Sequence, residues 1–175
     1  MPSHPVDVRP DNVGRCARRG ACGNAASSTR SRTSATSAAS GTDPEINLTY
    51  LLDTNSLIYY FQGAPQMDEV FRQIELGTAR PVVSIITVVE LLGFPRLTRT
   101  DETRIRSLLS GFTVVPVDAK VADRAVEVKR RHGVKTPDAI IAATALLEGA
   151  CLVTRDQALL DRIPEMESLN PFAPH

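Results

Sequence analysis

Four carboxylates stand where apolar segments end or helices begin. They are Asp53 in YLLDTNSLIYYF, Glu90 in ITVVELLG, Asp138 in TPDAIIAATALLEG and Asp156 in LVTRD. Asp53 directly follows Leu51 and Leu52, a costly place for a charge if that segment is a buried strand. Should the four converge, two of them about 4 Å apart repel by ~4 kcal/mol at an effective dielectric near 20. Such a cluster must share protons or hold a cation. No His or Cys lies within these motifs, so the oxygen-only donors favour hard Mg2+ or Mn2+ over zinc. An ion held by few carboxylates also takes up substrate phosphates, which makes phosphodiester hydrolysis the natural chemistry.

Each acid also has a plainer use. Asp53 can cap the helix that follows it, and Asp156 can cap a short later helix. Glu90 stands three residues after Thr87, a capping-box spacing, although its neighbours Val88, Val89, Leu91 and Leu92 are apolar. Asp138, near the start of a helix, suits the helix dipole. Singly the acids are ambiguous; the set and its order carry the signal.

The elements that must position them alternate in type. NLTYLLD, PVVSI, FTVVPV and ACLVT read as short apolar strands, with a last strand near MESLN. Between them lie helical segments: MDEVFRQIELG, TVVELLG, DETRIRSLLSG starting after Thr100, and DAKVADRAVEVKRRHG with Asp118 as cap and Gly133 as stop. TPDAIIAATALLEG has Thr136 as cap and Pro137 at its first helical position, with Gly149 as stop; a short helix around DQALLDRI follows. This alternation predicts an α/β fold of three layers, a central mostly parallel sheet of four to five strands with helices on both faces. In such sheets ligands bind beyond the carboxyl ends of the strands, which is where Asp53 falls.

Composition narrows the field. The 175 residues suffice for one domain and a tail, and Lys plus Arg balance Asp plus Glu at 20 each, so no overall basic field marks nucleic-acid binding. Residues 1–45, with NAASSTRSRTSATSAASGT, hold almost nothing apolar and are expected to be a disordered tail or sequence upstream of the native start, ahead of a domain at 46–175. The arginines of GRCARRGAC read as a solvated tail. No apolar run approaches the ~18 residues of a membrane helix, and the three cysteines show no paired zinc spacing. A cytoplasmic setting is the expectation. The basic stretch KRRHGVK precedes Asp138; it suits a helix C-terminus, with steering of RNA phosphates as the other use.

YLLDTNSLIYY, SIITVVELLG, TPDAIIAATALLEG and CLVTRD resemble the successive motifs of PIN-domain ribonucleases, in particular the VapC toxins of prokaryotic toxin–antitoxin pairs. The resemblance spans about Leu48 to Phe172. It implies that Asp53, Glu90, Asp138 and Asp156 are the family's acidic quartet, with Asp53 and Asp138 as direct Mg2+ ligands. Thr54, Asn55 and Thr154 match its accessory polar positions. It further implies RNA hydrolysis dependent on Mg2+, with Mn2+ as a substitute, giving 5′-phosphate and 3′-hydroxyl ends. Glu90 or Asp156 would orient the attacking water. A homodimer inhibited by a small antitoxin protein is implied too. The tail is a departure, since such toxins begin just before the first strand.

Two other classes remain. An Asp53-nucleophile phosphatase or phosphotransferase wants a second Asp two residues on, where this chain has Asn55. A non-catalytic binding module of the same fold has no reason to keep four mutually repelling acids.

Overall fold

The computed structural model describes residues 48–173, so the expected tail at 1–45 lies outside the described residues. Five strands form one sheet: β1 (Leu48–Leu52), β2 (Ala79–Ser84), β3 (Thr113–Val115), β4 (Cys151–Val153) and β5 (Ser168–Leu169). Their spatial order is β3-β2-β1-β4-β5, and every neighbouring pair is parallel. Helices α1 (Thr54–Phe61), α2 (Asp68–Glu75), α3 (Ile85–Leu92) and α4 (Arg99–Leu109) lie in the first two crossovers. Helices α5 (Ala119–His132), α6 (Thr136–Glu148) and α7 (Gln157–Arg162) lie in the last two.

Two separate cores follow from the period of the strands. Tyr50, Leu52, Val83, Cys151 and Val153 pack with Leu57, Val70, Phe71, Leu91, Ile105 and Leu109, all contributed by α1 to α4. Leu51, Val82 and Leu152 point the other way and pack with residues of α5, α6 and α7. The sheet is thus covered on both faces. Central β1 accordingly ends in three fully buried apolar residues, Tyr50, Leu51 and Leu52. The chain runs outward from β1 to β3 on one side and returns through α5 and α6 to β4 on the other. The direction therefore reverses beside β1, and the carboxyl ends of β1 and β4 flank the switch point.

Helix boundaries bear out most of the sequence expectations and correct three. Asp118 accepts from the Val121 N–H at 2.9 Å, and Gly133 closes α5 in the left-handed conformation (φ 64°) that glycine adopts without strain. Helix α4 begins earlier than expected, because Thr98 accepts from the Asp101 N–H at 3.1 Å. Helix α6 begins at Thr136 itself, with Lys135 in the cap position and no side-chain cap. In α3 the cap is Ser84, not Thr87; Thr87 is fully buried inside the helix, so it forms no capping box with Glu90.

Helix α6 lies close to the sheet because its inner side chains are small: Ala142 and Ala143 are completely buried. Replacing Ala142 by Leu inserts three carbon atoms where no space exists. The expected loss is ~1–3 kcal/mol, measured by chemical denaturation; an unchanged midpoint would show that the helix is not close-packed there.

Candidate functional site

Asp53 leaves β1 as its last residue turns into α1, and two different donors fix its carboxylate. Oδ1 accepts the Ser56 N–H at 2.6 Å, the capping bond of α1. Oδ2 accepts the hydroxyl of Thr154, which follows β4. Thr154 in turn accepts the Asp156 N–H at 3.1 Å, and its own N–H donates to the Leu169 carbonyl in β5 at 3.0 Å. Asp156 caps α7 by accepting the Leu159 N–H at 3.0 Å. A continuous chain of hydrogen bonds therefore joins the acids that follow β1 and β4, across the switch point.

Ser56 strengthens the same joint. Fully buried, it donates its hydroxyl to the Val153 carbonyl at 2.8 Å, while the Asp53 N–H donates to that carbonyl at 3.3 Å. Sequence reasoning passed over this residue. Its only trace there is a small polar side chain three positions after Asp53, the spacing of a capping bond.

Glu90 and Asp138 approach from separate elements. Glu90, exposed on α3, accepts a hydrogen bond from the Thr54 hydroxyl in the first turn of α1. Asp138 is half-buried in the first turn of α6. Asn55 is exposed on α1 and its side chain makes no hydrogen bond among the described residues.

The electrostatics show which acids sense one another. Burial pushes the Asp53 carboxyl above its ordinary value and the charge of Asp156 adds to this, while hydrogen bonds from Thr154 and Ser56 oppose it. Asp138 is raised as well, chiefly by burial, then by Asp156, with Glu90 adding and Lys135 opposing. All four acids thus belong to one electrostatic neighbourhood. Among the described residues, however, no three His, Cys, Asp or Glu side chains stand together as a group able to hold an ion. The Ser56 N–H and the Thr154 hydroxyl hold Asp53, and the Thr54 hydroxyl holds Glu90.

The basic segment before α6 is engaged in local structure. Lys129 donates to the Thr136 hydroxyl at 2.8 Å, and His132 lies 2.8 Å from Glu165, with Arg131 at 3.8 Å from the same carboxylate. These contacts agree with cations placed at a helix C-terminus. An open groove of about 750 Å³, lined by Tyr60, Phe61, Leu108 and Phe112 among others, contains none of the acids.

The raised acids have a consequence for stability. A carboxyl whose folded value lies above its unfolded one binds more protons when folded. It therefore destabilises the fold progressively as pH rises from the unfolded value through the folded one, and the penalty persists above that. Asp138→Asn removes one such group. In metal-free buffer at neutral pH the variant should be at least as stable as the parent, and its advantage should vanish on acidification below the carboxylate range. Thermal melts across pH check this; a variant less stable at neutral pH would make Asp138 a helix-dipole partner. Asp53→Asn is a less clean test, because an amide there disturbs the bond with Thr154.

A model of the PIN domain matches residues 50–166. A chain of a toxin–antitoxin complex from Klebsiella pneumoniae is 31% identical, over 71% of this chain and 99% of that one, with a TM-score of 0.60. FitAcB from Neisseria gonorrhoeae (25% identity, 71% and 99% covered, TM-score 0.59) and VapBC-1 from nontypeable Haemophilus influenzae (25%, 72% and 100%, 0.59) are similar in fold. No curated protein sequence matches. Both the motifs and the five-strand parallel sheet that gathers them point one way: the chain belongs to the PIN-domain family and is similar to chains of toxin–antitoxin complexes.

Proposed function

We propose that the chain is a metal-dependent endoribonuclease and the toxin of a type II toxin–antitoxin pair. The observation that carries this reading is the joint between Asp53 and Thr154 at the switch point. It leads directly to Asp156, whose charge reaches both Asp53 and Asp138. Likeness to chains of toxin–antitoxin complexes supports the toxin assignment.

In chemistry the donors suit a hard divalent cation, although no three of them stand grouped around one point among the described residues. They are oxygen-only, and burial and mutual repulsion already disfavour their charged forms, a penalty that a cation would relieve. Asp53, Glu90, Asp138 and Asp156 would hold Mg2+, or Mn2+ in its place. When bound, such an ion polarises a phosphate and acidifies a water. This chain's own residues do the positioning. Ser56 and Thr154 hold Asp53 from both oxygens, so its carboxylate keeps one orientation. Thr54 turns Glu90 back towards α1, and Asp156 keeps one oxygen on the α7 cap. Glu90 or Asp156, the exposed members, would orient the attacking water. The phosphatase alternative loses support, since the nearly buried Asp53 uses both oxygens as acceptors and Asn55 faces outward.

The partners proposed are RNA as substrate, a small cognate antitoxin protein as inhibitor, and a second copy of the chain in a homodimer. Among the described residues no helix is long and apolar enough to cross a membrane, and a cytoplasmic location is proposed.

Incubation with single-stranded RNA tests the reading. Cleavage is expected with Mg2+ or Mn2+ and none in EDTA, with Asp138→Asn reduced by a factor on the order of 100 or more, in the range of lost catalytic groups. Thermal melts should show Mg2+ stabilising the parent by mass action and Asp138→Asn much less. Undiminished cleavage in EDTA would exclude the metal-dependent mechanism.

A further inference from the structure

Arg155 lies between Thr154 and Asp156 in the chain, yet its guanidinium pairs with no carboxylate among the described residues. It is held on two rings instead. Its central carbon stands 5.4 Å from the centre of the Tyr59 ring and 5.2 Å from that of Phe172. Nη1 donates to the Tyr59 hydroxyl at 2.9 Å, and the two rings meet with centroids 4.7 Å apart. Tyr59 belongs to α1, the helix that Asp53 caps, and Phe172 follows β5, whose Leu169 carbonyl receives the Thr154 N–H. The guanidinium is thus anchored to the same framework that orients Asp53.

Coulomb attraction alone favours a different arrangement. An exposed arginine among carboxylates of one neighbourhood gains by folding onto them, and here the rings hold it away. Of its five N–H donors the Tyr59 hydroxyl takes one. Arg155 is exposed, and the remaining donors form the planar fork that matches phosphate oxygens. The rings carry the guanidinium already, so they serve as its support and not as a platform for a base.

We propose that Arg155 is a positioning residue that binds a backbone phosphate of the RNA next to the one being cut, its guanidinium presented by Tyr59 and Phe172. The inference rests on the RNA-cleaving reading and adds to it a substrate contact. A site built of acids repels a polyanion; a fixed cation at its rim supplies one charge-assisted contact that sets the strand's register.

The full chain is assayed on single-stranded RNA with Mg2+ or Mn2+, as parent, Arg155→Ala, Arg155→Lys and Tyr59→Phe. RNA binding is measured over a range of salt in an Asp138→Asn background, where the strand is not cut. Arg155→Ala is expected to raise KM about tenfold while lowering kcat far less, the signature of lost binding. The slope of log affinity against log salt should fall by ~0.7, the value of one phosphate contact on a single strand. Arg155→Lys should recover the slope but only part of the KM, having the charge without the fork. Tyr59→Phe, which removes only the hydroxyl that aims the guanidinium, should raise KM by a smaller factor. Unchanged KM and slope in Arg155→Ala, with the parent cutting RNA, would reduce the contact to a surface lock and leave the functional reading standing. A fall in kcat at constant KM would likewise overturn the proposal. A parent that cuts no RNA would sink the inference and the reading together.

Discussion

Burying the Asp53 carboxylate at the end of β1 removes water that only nearby donors can replace. The replacement is local on one side and distant on the other. Ser56 supplies a backbone N–H from three residues on, and Thr154 supplies a hydroxyl from 101 residues on. Because Thr154 also receives the Asp156 N–H and donates its own to β5, the order of β4, α7 and β5 is tied to one buried charge. Remove that tie and the two acids that flank the switch point lose their relation to one another.

The same arrangement works against stability. Burial and neighbouring charge both raise Asp53 and Asp138, so the fold carries a penalty for keeping them ionised. Hydrogen bonds offset part of it at Asp53; at Asp138 Lys135 offsets part of it, through its charge and through its backbone. A site tuned only for stability would place apolar or neutral groups here. Retaining the acids makes physical sense if an ion or a substrate later shares the space.

The sheet explains why acids so far apart in sequence are neighbours at all. Parallel strands all present their carboxyl ends to one edge, and each crossover begins there. Asp53 follows β1 directly, Asp156 lies in the short turn after β4, Glu90 lies in α3 just after β2, and Asp138 is in the first turn of the helix that leads back to β4. Close approach of α6 depends on alanines rather than on larger side chains. Arg155 meets the same edge from outside, through rings on α1 and after β5.

Much of this was legible in the residues. Continuous apolar runs marked strands buried on both faces, and Asp118, Gly133 and Gly149 marked helix ends through φ and capping preferences that act within a few residues. Singly each acid had a local explanation, Asp53 as a helix cap among them; it was their set and order that marked the site. Local chemistry also misled: the Thr87 and Glu90 spacing fits a capping box, but the helix begins earlier, at Ser84, and Thr87 is carried inside. Tertiary structure alone decided which groups meet. The bonds from Thr54 to Glu90 and from Thr154 to Asp53, Ser56 on the Val153 carbonyl, and Arg155 on two rings all join distant parts of the chain. Capping and period are set by neighbours within one turn or one pleat, whereas these contacts exist only once the crossovers bring β2, β1, β4 and β5 side by side.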